Sequence, residues 1–189
     1  MIKLGTITLN GTPRIAVGFG DKTAPQVIDE AKDFGLDVVE LRIDLYSECR
    51  KEHVLNEVKK FRHFPSIATI RSKKEGGKWR GTEKERLALF RAVMPEVDAV
   101  DIEMSSRTIV SSVVKLAHKA KKLVVVSHHD FDQTPSIKEL NRIVNHAKKL
   151  GADIVKVSTY ASDDEDIQRL AHCTIANKSK NIVTIAMGG

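Results

Sequence analysis

Stretches rich in β-branched and aliphatic residues recur about every 30 residues along the whole chain, at 14–19, 37–44, 66–71, 99–104, 123–129, 153–159 and 181–187. The segments between them read as helices with recognisable ends. Thr82 with Glu85, Ser136 with Glu139, and Ser162 with Glu165 have the spacing of capping boxes. Gly35 and Gly151 fall where helix C-caps are expected. Strands that alternate with helices at this spacing predict a parallel sheet. No linker or low-complexity tract interrupts the alternation, so residues 1–189 read as one domain. Ahead of it, residues 3–18 hold Asn10-Gly11 between β-rich runs, which predicts an N-terminal hairpin.

Two parallel architectures compete, an open doubly wound sheet and a (β/α)8 barrel. A sheet covered by helices on both faces needs strands that are apolar on both faces. These strands are polar on one face. Glu40, Arg42 and Asp44 alternate with Val39, Leu41 and Ile43; Thr69 and Arg71 with Ala68 and Ile70; Asp101 and Glu103 with Val100 and Ile102. Ser127 and His129 then oppose Val124 and Val126, and Lys156 and Ser158 oppose Val155 and Val157. The polar positions lie toward the C-terminal end of each run, where barrel active sites form. The pattern therefore predicts an α/β fold of the (β/α)8 TIM-barrel type.

Lys156 is the most anomalous of these residues, an ammonium inside an apolar β-branched run. Burial lowers the pKa of a lysine that finds no partner, and a neutral lysine attacks carbonyls to form a Schiff base. The alternative is a lysine whose stem lies along the strand while its head reaches water. His129 at the end of the neighbouring run supplies a general acid/base. An imine at Lys156 would acidify the adjacent C–H, and His129 could take that proton and return it to a departing hydroxide.

Composition removes several other classes. The net charge of +6 and pI near 9.3 come from basic residues mixed with acids or apolar residues in helical segments such as 51–63 and 115–122. No aromatic-interleaved basic patch accompanies them, so a solvated surface and a small anionic substrate fit better than nucleic acid. Cys49 and Cys173 are isolated, without metal-ligand spacing, which fits a reducing compartment. No signal pattern and no apolar run near the ~20 residues of a membrane span is visible. The expectation is a cytoplasmic protein without a membrane partner. Asp101 and Glu103 lack companion histidines, so interior hydrogen bonding fits them better than a metal.

The motif set is Glu40-Leu-Arg-Ile-Asp44, Arg71-Ser-Lys-Lys-Glu-Gly-Gly77, Ser127-His-His-Asp-Phe131 with Thr134-Pro135, and Lys156. In order and spacing it closely resembles the type I 3-dehydroquinate dehydratases, Schiff-base hydro-lyases of the shikimate pathway of aromatic amino acid biosynthesis. The resemblance implies conversion of 3-dehydroquinate to 3-dehydroshikimate and water, with no cofactor and no metal. It implies Lys156 as the imine-forming lysine, His129 as the general acid/base and Glu75 as the carboxylate that orients His129. Glu40, Arg42 and Arg71 take the place of substrate-binding residues, and Arg71 would favour a neutral lysine by like-charge repulsion. The family pattern selects the second histidine of the pair, and strand alternation agrees that His128 and His129 cannot both face the axis. Dimers are common in the family, so a homo-oligomer, a dimer, is expected.

The chain departs from that pattern after Met187-Gly188. The family continues there with a further helix, an eighth strand, an arginine for the substrate carboxylate, and a loop serine and glutamine. The sequence therefore reads as a barrel incomplete at its C-terminus, with exposed edges on its first and last strands. Read without the family, Glu40 and Arg42 could form an interior ion pair and Glu75 a plain turn residue. Against the lyase stands a second reading, a non-catalytic dehydroquinate-binding or regulatory module that retains the fold. A third is a different Schiff-base aldolase.

Overall fold

The computed structural model describes residues 2–9 and 11–188. It opens on a short antiparallel hairpin of β1 (Ile2–Leu4) and β2 (Ile7–Leu9), with Leu4 opposite Ile7. The turn is Gly5-Thr6, earlier than the sequence pattern placed it. Gly5 adopts φ +54, the left-handed value that a glycine-first two-residue loop requires. Asn10 of the expected Asn10-Gly11 turn lies outside the described residues. Leu4 packs on Val38 and Ala99, with Ile67 and Leu123 beside them. These residues stand at or near the starts of four different strands, so the hairpin closes the N-terminal end of the sheet.

Seven parallel strands follow, paired in sequence order: β3 (Ala16–Phe19), β4 (Val38–Arg42), β5 (Ser66–Thr69), β6 (Ala99–Glu103), β7 (Leu123–Asp130), β8 (Ile154–Tyr160) and β9 (Ile182–Met187). The helices between them are α1 (Pro25–Asp33), α2 (Lys51–Lys59), α3 (Glu83–Val93), α4 (Val110–Lys119), α5 (Ile137–Leu150) and α6 (Asp164–Ala176). Val39, Leu41, Val100, Ile102, Val124, Val126, Val155 and Val157 are all fully buried in one core with helix residues such as Val54, Phe90, Val113 and Leu140. The apolar face of β4 to β8 is thus turned outward onto the helices.

The other face lines an interior. The Lys156 ammonium on β8 lies 3.6 Å from the Glu40 carboxylate on β4. In a flat sheet, strands four places apart would be about 19 Å apart at ~4.8 Å per strand. Contact between these side chains requires the sheet to curl, as a TIM-barrel wall does. The edges of the curl are β3 and β9, where Ile15, Val17, Val183 and Ile185 are exposed.

Helix starts follow the sequence signals in part. Thr82 and Glu85 form the full reciprocal box. Ser136 accepts from the Glu139 N–H, but the Glu139 carboxylate turns to Arg142, so only half of that box forms. The third box is displaced by one residue. Asp163 caps α6 by accepting from Asp166 N–H at 2.9 Å, and the Asp166 carboxylate takes the Ser162 N–H. A carboxylate at the N-cap is a charged acceptor at the positive end of the helix, which favours it over the serine.

Arg86 joins helix layer to strand layer. It is fully buried on α3, donates to the Ile70 carbonyl at 2.7 Å and to Ser106, and pairs with the buried carboxylate of Glu103. Removing one member of a buried pair leaves the other charge stranded. Arg86→Ala should therefore lower stability by about 3–5 kcal/mol, read as a fall in the urea midpoint at unchanged m-value.

Candidate active site

The interior polar network begins at Arg71, just beyond β5. Strand pairing sets Thr69 beside Asp101, and alternation turns Arg71 inward two residues later. Its guanidinium donates to Asp101 Oδ2 at 2.9 Å and to Ser127 Oγ at 2.7 Å, and lies 3.3 Å from Glu103. Ser127 in turn donates to Asp101 Oδ1 at 2.6 Å. Burial works against the charge on Arg71, but Asp101 and Glu103 more than offset it and hold the group protonated. Burial would likewise raise the Asp101 carboxyl. Arg71 and then Lys156 overcome that and hold it well below the usual carboxylate range. Asp101 and Glu103 thus serve in interior hydrogen bonding, and the described residues contain no cluster able to hold a metal.

Lys156 faces this network, as the alternation in its strand predicts. Its Nζ lies 3.5 Å from Asp101 and 3.6 Å from Glu40, and its side chain is 18% exposed. The amine therefore stays inside, among carboxylates, and does not run out to solvent. Arg71 is spent on Asp101, Glu103 and Ser127, so the charges nearest the lysine are negative. Glu40 also accepts from Thr69 Oγ1 at 2.7 Å. It is not paired with Arg42. Arg42 instead makes two hydrogen bonds to Asp44, at 3.1 and 3.0 Å, because β4 ends at Arg42 and the following 3-10 turn swings Asp44 back beneath it.

Glu75 is more than a turn residue. It ends the 3-10 turn Lys73–Glu75, and Gly76 reverses the chain there at φ +77. A Cβ on Gly77 would run into the Arg71 carbonyl, so Gly77 lets the loop fold back over the mouth of the interior. That return carries the Glu75 carboxylate to His129. It accepts from the His129 N–H at 3.0 Å and meets His129 Nδ1 at 2.8 Å, with Ser105 Oγ on its other oxygen at 2.5 Å. A carboxylate can only accept here, so Nδ1 carries the proton and Nε2 is left for chemistry. His129 and Lys156 stand on adjacent strands, one alternation apart: Ser127 pairs with Lys156 and His129 with Ser158. His128 points away from this face, and burial lowers its pKa.

All six residues singled out in the sequence, Glu40, Arg42, Arg71, Glu75, His129 and Lys156, thus lie on the interior face or at its C-terminal mouth. The sequence reading did not single out Ser105, which braces Glu75, and it placed Ser127 on the polar face without the role it takes in bridging Arg71 and Asp101. Ser127 carries a legible signal in its inward alternation with His129. Ser105 lies in a loop, where no periodicity marks it.

A curled parallel sheet that presents a lysine and a carboxylate-oriented histidine at the C-terminal mouth of its interior is the arrangement of a barrel enzyme. The type I 3-dehydroquinase family model matches residues 18–189, and the chain belongs to that family. It is 32% identical over 192 aligned residues to the 3-dehydroquinate dehydratase of Methanococcoides burtonii, covering 100% of this chain and 81% of the relative. Among solved structures it resembles the type I 3-dehydroquinate dehydratase of Clostridium difficile, solved with covalent modified comenic acid, at TM-score 0.92 and 26% identity. That likeness covers 100% of this chain and 81% of the other. The 3-dehydroquinate dehydratase of Geobacillus kaustophilus matches at TM-score 0.88 and 27% identity, over 100% and 79%.

The depressed Asp101 carboxyl ties stability to pH. A carboxyl whose folded pKa lies below its unfolded value stabilises above about pH 4, and that contribution is lost as pH falls through the folded value. Asp101→Asn should destabilise the protein at neutral pH. Its deficit against wild type, read from urea midpoints, should shrink progressively below about pH 4.

Proposed function

We propose that this chain dehydrates 3-dehydroquinate to 3-dehydroshikimate through an imine on Lys156, with His129 as general acid/base. The observation that carries the reading is the interior lysine one alternation from a histidine whose Nδ1 is held by Glu75. The Lys156 amine, once it has given up its proton, attacks the ketone carbon; loss of water leaves the imine. His129 Nε2 takes the proton from the adjacent carbon, giving an enamine. The enamine electrons re-form the imine side of the conjugated system as the C–O bond at the next carbon breaks, and the histidine proton leaves with that oxygen as water. Hydrolysis of the imine frees the product and the lysine. The C. difficile relative was solved with covalent modified comenic acid, which supports a covalent step in this reading.

Glu40, Arg42 and Arg71 serve as substrate-binding residues in this reading. Arg42, with its side chain 27% exposed, is the more open of the two arginines, whereas Arg71, 4% exposed, also fixes the architecture around Lys156. The protein acts in the cytoplasm as a homodimer, with apolar residues at the sheet edges available for self-association.

One observation favours the alternative of a binding module without turnover. Among the described residues of the interior, Arg42, Arg71 and Lys156 are each already drawn to a carboxylate, so an acidic substrate must displace a partner. A single experiment separates the two readings. The purified chain is incubated with 3-dehydroquinate and borohydride, and the intact mass and adduct position are determined. A reduced adduct on Lys156 is expected, absent in Lys156→Ala. A folded sample that binds 3-dehydroquinate but traps no adduct would leave the binding module standing. His129→Ala should still trap the adduct while turnover falls by about 10²–10⁴-fold, measured as 3-dehydroshikimate formation.

A further inference from the structure

We propose that Ser158 is a further substrate-binding residue of this site, whose hydroxyl bonds an oxygen of the substrate held on Lys156. Ser158 is 2% exposed, and its Oγ is buried without a hydrogen-bond partner. Its neighbours on the interior face are all partnered: Thr69 with Glu40, Ser127 with Arg71 and Asp101, His129 with Glu75, and Lys156 with Asp101 and Glu40. Two other hydroxyls share its state among the described residues, but Ser72 lies in the loop after β5 and Tyr46 packs against His53 of α2.

The direction of Ser158 follows from its strand. Lys156 points into the interior, so the residue two places on points the same way. Thr159, on the opposite face, meets Thr134 Oγ1 at 2.8 Å outside the sheet. Pairing sets Ser158 beside His129 on one side and Ile185 on the other. Its hydroxyl is therefore on the rung that carries the proposed acid/base, immediately above the proposed nucleophile.

A buried hydroxyl without a partner destabilises the protein, and such a group needs a reason to be there. Serine has one side-chain torsion with three staggered positions, and no protein acceptor fixes it in any one of them. The hydroxyl is thus free to turn to a ligand oxygen arriving between Lys156 and His129. The substrate under the proposed function is a polyhydroxylated keto acid, which brings oxygens beside the carbon that becomes the imine. The orphaned hydroxyl of the free protein would be satisfied in the complex.

This inference rests on the Lys156 imine reading, and the test separates the two. Wild type and Ser158→Ala are compared for borohydride trapping with 3-dehydroquinate, for steady-state kinetics, and for thermal unfolding with and without substrate. The expected result is a trapped wild type and a Ser158→Ala variant whose unliganded Tm is unchanged or higher. Its kcat/KM should be about 2- to 10-fold lower, and its stabilisation by substrate smaller than that of wild type. Equal kcat/KM and equal substrate stabilisation, with wild type trapped, would overturn the role of Ser158. So would a fall in unliganded Tm without a kinetic change, since that marks a hydroxyl serving the fold. A wild type that traps nothing removes the imine reading and this inference with it.

Discussion

The interior of the curled sheet depends on a buried guanidinium facing two buried carboxylates. Arg71 joins β5 to Asp101 and Glu103 on β6 and to Ser127 on β7, and Arg86 approaches Glu103 from the helix layer. Each of these groups would be costly in an apolar interior alone, and each is tolerable because the others are in place. The network determines where the next charge can sit. Lys156 lies 3.5 Å from Asp101 Oδ2, the same oxygen that accepts from Arg71. The proposed nucleophile is thus positioned by an assembly whose other members are buried.

His129 is oriented by a separate device. Its partner Glu75 comes from a loop, and the loop turns there because Gly76 takes a left-handed φ and Gly77 passes close over the Arg71 backbone. The two halves of the proposed chemistry therefore rest on different foundations. The lysine depends on strand register and buried charge, while the histidine depends on loop geometry and a single carboxylate. Substitutions in the two regions should for this reason perturb different steps.

Much of this was legible in the sequence, and the reasons differ by element. All seven strands of the main sheet were visible as β-branched and aliphatic runs, and β4 to β8 also carry the two-residue alternation of a sheet with one polar face. The inward direction of Lys156 follows from the same alternation, which also agrees with the family pattern's choice of His129 over His128. The hairpin turn was misplaced because Asn10-Gly11 is the stronger local signal, whereas Gly5-Thr6 is chosen by packing of Leu4 over the strand ends. The role of Glu75 could not be read from periodicity, since a 3-10 turn has none, and it was reached through family resemblance alone. Arg42 and Asp44 share a face in the strand pattern, but their pairing depends on where β4 stops, and strand ends are poorly marked.

The pairing of β3 through β9 in strict sequence order has a kinetic consequence. Every strand of the curl after β3 bonds to the strand that precedes it, so each new β–α unit can dock on a surface already made during synthesis. Assembly of this kind proceeds vectorially from the first unit, with loop closures of one repeat at each step. The growing edge is always the most recent strand, and it carries β-branched residues ready to pair. A chain built in this way should be most prone to misassociation during the interval between emergence of one strand and arrival of the next.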